Sequence, residues 1–207
     1  MKASKMLEIK NLSKAYKKKQ VLKNISLSAH DGEIIGIVGA NGSGKSTLLF
    51  ALASLFPESA YVPQDSVLIE ELSGLDNLRL WYEKSSLKSA LSSESPLQIL
   101  GLNSLLNMTV SKLSGGMKKR LSIACALAKN SKILLLDEPG SALDIPCKEK
   151  LHEYYKKFAL EGGIIILSSH DYEELSLCTR LLVLKDGFLS PYEYNGDFHA
   201  LSALLSD

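Results

Sequence analysis

The chain has 207 residues, 45% of them hydrophobic, and a formal net charge of +1. That length and apolar content suffice for one α/β domain with a buried core and a small subdomain, and the near-neutral charge excludes a strong global field for nucleic acid. Three well-separated cysteines, Cys125, Cys147 and Cys178, form no CxxC pair, which argues against a metal knot or redox pair and suits a reducing cytosol. No apolar run approaches the length of a bilayer span, and the start Met1-Lys2-Ala3-Ser4-Lys5 has no apolar core behind it. A soluble, intracellular chain without a secretory leader is therefore expected.

In chain order, Leu7–Leu12 and Val21–Leu27 alternate apolar and polar residues and are expected to form strands, with the lysines at 17, 18 and 19 in the turn between them. Asp31-Gly32 turns the chain into the apolar run Glu33–Val38, a buried strand. Gly39-Ala40-Asn41-Gly42-Ser43-Gly44-Lys45-Ser46 then fits G-x-x-x-x-G-K-[ST], the P-loop. Its glycines let backbone N–H groups turn onto an anion, and a helix starting near Lys45 adds its unpaired amides and positive dipole end. Lys45 is placed to reach β- and γ-phosphates, and the Ser46 hydroxyl to ligate Mg2+.

The helix from Lys45 stops near Leu55, before Pro57, and Ala60-Tyr61-Val62 is a short strand ended by Pro63. From about 68 to 112 serines cluster and the pattern breaks into short helical pieces, expected as a helical subdomain inserted in the core. Within it Ser95 is the expected N-cap, Pro96 the first helical residue and Gly101 the stop. A helix follows from Ser114 to Lys129, and Ile133–Leu136 is a buried strand ending in Asp137-Glu138. Ile145–Leu160 is helical, Gly163–Leu167 a second buried strand ending in Ser168-Ser169-His170, and Leu181–Leu184 a third. Asp186-Gly187 turns that strand into Phe188-Leu189, and the tail repeats Phe198, Leu201, Leu204 and Leu205 at helical spacing.

Two further stretches carry chemistry. Asp137-Glu138 holds two carboxylates at a strand end: the first is expected to orient Mg2+, the second to polarise the attacking water beside the γ-phosphate. Leu113-Ser114-Gly115-Gly116-Met117 opens a helix with a hydroxyl and two glycines, a second anion cradle. One P-loop does not need two cradles, so the second is expected to serve a nucleotide held by a partner molecule.

With these motifs in order along nearly its whole length, the chain resembles the nucleotide-binding subunits of ABC transporters. Gly39–Thr47 matches Walker A, Tyr61-Val62-Pro63-Gln64 the Q-loop, and Leu113–Met117 the signature sequence. Ile133–Pro139 matches Walker B, Ser141-Ala142-Leu143-Asp144 the D-loop, and Ser168-Ser169-His170-Asp171 the switch histidine. The resemblance implies a single domain over 1–207: an ABC-type P-loop NTPase core with a mainly parallel sheet, a reduced N-terminal antiparallel β subdomain and the helical insert.

The resemblance also implies roles. Tyr16 would stack on adenine, and Gly39, Ala40, Asn41, Gly42, Ser43, Gly44, Lys45, Ser46 and Thr47 would wrap the phosphates. Ser46, Gln64 and Asp137 would serve Mg2+, and Glu138, Gln64 and His170 the hydrolysis of ATP. Ser114, Gly115, Gly116 and Met117 would act on the nucleotide of the opposite subunit, and Asp144 would cross the interface. The partners implied are a second copy or a paralogous ATPase subunit and a separate integral membrane permease, with no nucleic acid. The chain would then sit on the cytoplasmic face of the plasma membrane. The alternative is a soluble non-transport ABC-type ATPase, against which the single cassette and the lack of coiled-coil heptads count.

Two features depart from the family. Met117 replaces the usual glutamine of the signature. Only nineteen positions separate Lys45 from Gln64, where the family has a longer connection with extra antiparallel strands, so a trimmed β layer is expected.

Overall fold

A computed structural model describes residues 6–17, 19–92, 96–193, 197 and 201. The described residues form two sheets: a two-stranded antiparallel hairpin and a six-stranded sheet. The hairpin joins β1 (Met6–Tyr16) to β2 (Lys19–His30). Their registers shift between Ile9 and Leu12 and again near Lys14, where extra residues bend and twist the ribbon. The reduced antiparallel layer expected from the sequence is this hairpin, with both strands longer than the alternation alone marked.

The large sheet comprises β3 (Ile34–Val38), β4 (Ala60–Val62), β5 (Ile133–Asp137), β6 (Ile164–Ser168), β7 (Arg180–Lys185) and β8 (Phe188–Tyr192). Its strand order is β4-β5-β6-β3-β7-β8, parallel throughout except for β8. Residues of β3, β5 and β6 are buried at every position because both faces of the sheet are covered. The period-2 pleat divides them. Ile35, Ile37, Ile133, Leu135, Ile164 and Ile166 pack against the hairpin and helix α1 (Lys45–Leu55). Ile34, Leu134, Leu136, Ile165 and Leu167 pack with α4 (Gly115–Leu127), α5 (Ile145–Leu160) and the insert.

The insert contains α2 (Gly74–Arg79), α3 (Lys84–Ala90) and three short 3-10 turns. Ser73 caps α2 by accepting from Asp76 N–H, and buried Asn77 ties the preceding loop through Ile69 N–H and O. The helical piece expected from Pro96 is a 3-10 turn, Pro96–Leu100, stopped at Gly101 with φ 59°. The capping role expected of Ser95 lies outside the described residues, as do Lys18 and most of the tail pattern. Of that tail, Leu201 is buried beside Val38, Leu175 and Val183. A short helix not expected from the sequence, α6 (Tyr172–Ser176), follows β6, capped by Asp171. No helix among the described residues is long and apolar enough to cross a membrane.

This topology decides where chemistry can occur. Gly39–Lys45 follows β3, Gln64 follows β4, Asp137-Glu138 ends β5, and His170 follows β6. These four strands are parallel, so their carboxyl ends lie on one edge of the sheet, where open α/β sheets bind ligands.

Candidate functional site

The loop between β3 and α1 is built for an anion. Gly44 is the N-cap residue of α1 at φ 110°, and no side chain caps the helix. Its first amides therefore stay available at the positive end of the dipole. A side chain at Gly44 would be strained by that φ, and its Cβ would stand 2.8 Å from the Val21 side chain. Lys45 is buried and donates to Gly39 O at 2.7 Å and Ala40 O at 3.2 Å. Burial pulls the Lys45 ammonium below the ordinary lysine range, opposed by the charges of Glu138 and Asp137.

In front of this loop lies a cleft of about 260 Å3 lined by Val21, Asn41, Gly42, Gly44, Lys45, Ser46, Thr47, Gln64, Asp137 and Glu138. A neighbouring cleft of about 320 Å3, lined by Lys19–Val21, Lys23, Ala40–Ser43 and the turn Leu184–Gly187, includes neither Asp137 nor Glu138. The smaller cleft is the candidate site, because it joins the glycine-rich loop to those two carboxylates.

Asp137 is buried, and Ser168 Oγ donates to its Oδ1 at 2.5 Å. That bond fixes one carboxylate oxygen and sets the direction of the other. Glu138 adopts φ 47°, a left-handed conformation uncommon outside glycine. Its N–H donates to Ser168 O at 3.1 Å, and its carbonyl accepts from Ser141 Oγ at 2.7 Å. These bonds hold the turn that swings the Glu138 side chain out of line with β5. His170 Nε2 stands 3.4 Å from Glu138 Oε1.

The structure thus brings together Asn41, Gly42, Gly44–Thr47, Gln64, Asp137 and Glu138 around one cleft, with His170 on its acid. Ala40 and Ser43 face the neighbouring cleft, and Tyr16 lines neither: it is half-exposed at the end of β1. Ser114, Gly115, Gly116 and Met117 lie outside the cleft at the start of α4, where Ser114 Oγ accepts from Met117 N–H at 3.3 Å. Gly116 packs so closely on the D-loop that a Cβ there would stand 2.4 Å from Ala142 O. The Asp144 carboxylate caps α5 through Cys147 N–H at 3.0 Å and pairs with Arg120 of the same chain.

Two buried charged residues escape the sequence reading. Lys119 is 3% exposed, and its ammonium donates to Pro63 O at 3.1 Å, Gln64 O at 3.0 Å and Asp137 O at 3.2 Å. All three donors of the ammonium are used. A hint exists: Lys119 is one helical turn before buried Ile123, on the apolar face of α4. Glu174, 1% exposed, lies four residues after His170 and accepts from Ser169 Oγ. Its Oε1 is 4.0 Å from His152 Nε2 and would meet a Cβ on Gly140 at 2.4 Å. Burial pushes the Glu174 carboxyl from its ordinary 4.5 up to about 7 and pulls His152 down.

Comparison with known proteins agrees with the fold. A family model described as ABC transporter matches residues 22–60 and 56–141. YybJ of Bacillus subtilis (strain 168), an uncharacterized ABC transporter ATP-binding protein, is 33% identical, with 91% of this chain and 96% of YybJ covered. The spermidine/putrescine import ATP-binding protein PotA of Mycoplasma mycoides subsp. mycoides SC is 34% identical over 88% of this chain. The match covers 59% of PotA, so the chain spans about three fifths of the length of that relative. Among solved structures, the dimeric bacterial ABC transporter cassette MJ0796 superposes with a TM-score of 0.79 at 28% identity. That superposition covers 92% of this chain and 100% of the cassette. The chain belongs to the ABC transporter family, in which it is an ATP-binding cassette.

Proposed function

We propose that the chain binds and hydrolyses ATP at two composite sites in a head-to-tail dimer and so energises transport through a separate membrane permease. The carrying observation is the division of the motifs. The cleft holds Lys45, Ser46, Gln64, Asp137 and Glu138, whereas the second anion cradle, Ser114–Met117, lies outside it. A nucleotide seated on the P-loop needs a cradle from another molecule, and the dimeric state of the MJ0796 cassette supports that arrangement.

The chemistry follows from the side chains. Helix α1 and the loop amides bind the β- and γ-phosphates, and Lys45 exchanges carbonyl acceptors for phosphate oxygens. Glu138 orients the attacking water and accepts its proton, and His170 holds the Glu138 carboxylate and the γ-phosphate. Tyr16 stacks on the adenine after the hairpin settles over the base. Ser114, Gly115 and Gly116 grip the γ-phosphate held by the partner, with Asp144 at the interface.

The donors fit Mg2+, because the Ser46 hydroxyl, the Gln64 side-chain amide oxygen and the Asp137 carboxylate are hard oxygen donors on residues that line the same cleft. When bound, the ion neutralises charge on the β- and γ-phosphate oxygens. The residue that prepares its place is Ser168, which holds one oxygen of Asp137 in a hydrogen bond. Loss of the γ-phosphate removes what both subunits grip, and the dimer opens. A permease seated near Gln64 and the insert would convert that opening into alternating access, with the cassette on the cytoplasmic face of the membrane.

Glu138→Gln tests the reading. It keeps the side chain's shape but accepts no proton, so with Mg-ATP it accumulates as a dimer in gel filtration, while turnover falls by about 100-fold or more. A variant that stays monomeric at saturating Mg-ATP would refute the composite site.

A further inference from the structure

Helix α4 serves two places at once. Its first residues, Ser114–Met117, are the cradle assigned above to the partner's nucleotide. Five residues after Ser114, on the same rigid helix, the Lys119 ammonium holds the carbonyls of Pro63, Gln64 and Asp137, the last two of which line the chain's own cleft. The next residue, Arg120, holds Asp144, the cap of α5.

We propose that Lys119 is a positioning residue that couples the two composite sites, making the state of the partner's nucleotide felt at Gln64 and Asp137 of its own subunit. The inference rests on the dimer reading given above.

A buried ammonium is tolerated only while its donors are bonded, because carbonyl oxygens replace the water it has lost. Lys119 has three donors and three carbonyls, at 3.0 to 3.2 Å. It has no slack. A shift of α4 that carried Lys119 away from those carbonyls would strand the charge, so the loop after β4 and the end of β5 must move with the helix. At 1.5 Å of rise per residue, Ser114 and Lys119 are only about 7.5 Å apart along the axis, so the helix transmits displacement without bending.

Two neighbours reinforce the link. Gly116 is pressed on Ala142 O, and Arg120 grips Asp144, so the D-loop is attached to the same two turns of α4. Lys119 is bonded to backbone carbonyls on two separate catalytic loops.

The test compares Lys119→Met, which keeps the stem and removes the donors, with Lys119→Arg, which restores donors in the same place. ATP affinity is measured by equilibrium binding, and turnover is followed against ATP concentration. Wild type shows a Hill coefficient that approaches roughly 2, the number of sites. Lys119→Met lowers it to about 1 and cuts kcat by about 10-fold or more, while ATP affinity stays within about 2-fold. Lys119→Arg recovers cooperativity and most of kcat.

Lys119→Met that remains as cooperative and active as wild type overturns the inference. So does equal loss of ATP affinity and melting temperature in both variants, which would mark a lysine needed only for folding. A monomeric Glu138→Gln with a non-cooperative wild type would bring down the dimer reading and this inference together. A dimeric Glu138→Gln with a cooperative Lys119→Met would bring down this inference by itself.

Discussion

Glu174 is a carboxylate in a place that suits a neutral acid. It is buried between α5 and the turn at Gly140, with Ser169 as its hydrogen-bond donor and His152 4.0 Å away. Its carboxyl is raised from 4.5 to about 7 by burial, so the folded chain binds its proton more tightly than the unfolded chain does. The stability from that proton is fully present below about 4.5 and is lost as pH rises through about 7. A shift of that size corresponds to a free energy on the order of 3 kcal/mol. Glu174→Gln, which remains neutral at every pH, should therefore flatten the pH dependence of unfolding free energy across that window. Denaturant melts of both proteins between pH 5 and pH 8, run in about half-unit steps, measure it. An unchanged slope would mean that Glu174 ionises as freely folded as unfolded. Lys45 shows the opposite sign: burial lowers its pKa, and the two acids of the cleft restrain the shift.

Among the elements, α4 connects most of the site, and its first turn bears the departure at position 117. Met117 packs against the core shared by α4, α5 and the insert, while its N–H, not its side chain, is held by Ser114. Met117→Gln should accordingly leave ATP affinity within about 2-fold and change stability by less than about 1 kcal/mol, a partly buried polar-for-apolar exchange near the surface. Equilibrium nucleotide binding and a thermal melt check both, and a large affinity change would put the side chain on the nucleotide. The elements also separate what sequence could disclose from what it could not. Strands β3, β5 and β6 are short runs dominated by aliphatic residues, legible because both faces of the sheet are buried. The P-loop, Asp137-Glu138 and Ser168–His170 were legible because chemistry at strand ends leaves residue types that ordinary turns lack. Helix α6 was not, since five residues containing Glu173 and Glu174 show no apolar period. Lys119 was not, because a lysine on a helix reads as solvated until three carbonyls are found around it. The left-handed turn at Glu138 also leaves no mark in the residue type, since φ there is imposed by bonds to Ser168 and Ser141.

For the whole molecule, the parallel order of strands explains why motifs scattered from Gly39 to His170 converge. Each follows a strand of one sheet and each emerges on the same edge. The connection from Lys45 to Gln64 remains short because α1 alone carries the chain from β3 to β4, and the trimmed antiparallel layer leaves that path intact. The proposed dimer uses the same edge: closing two copies over two nucleotides requires each to present its P-loop cleft and its α4 start together, and Gly116 against Ala142 keeps those parts in fixed relation.

The sheet is not equally firm along its width. β3, β5 and β6 are each flanked by a strand on both sides, whereas β4 is three residues long, ends the strand order and pairs only with β5. Backbone opening begins where the fewest bonds must break. The amides of Tyr61 and Val62 should thus exchange with deuterium ahead of those of β3, β5 and β6, a gradient that native-state exchange reads directly. The strands that carry the phosphate loop, the two acids and the histidine form the stiff interior, and the strand leading to Gln64 is the compliant margin. Strand β4 is thus the margin through which a displacement at Gln64 would enter the sheet, and the Lys119 bonds to Gln64 O and Asp137 O tie that compliant margin to the stiff interior.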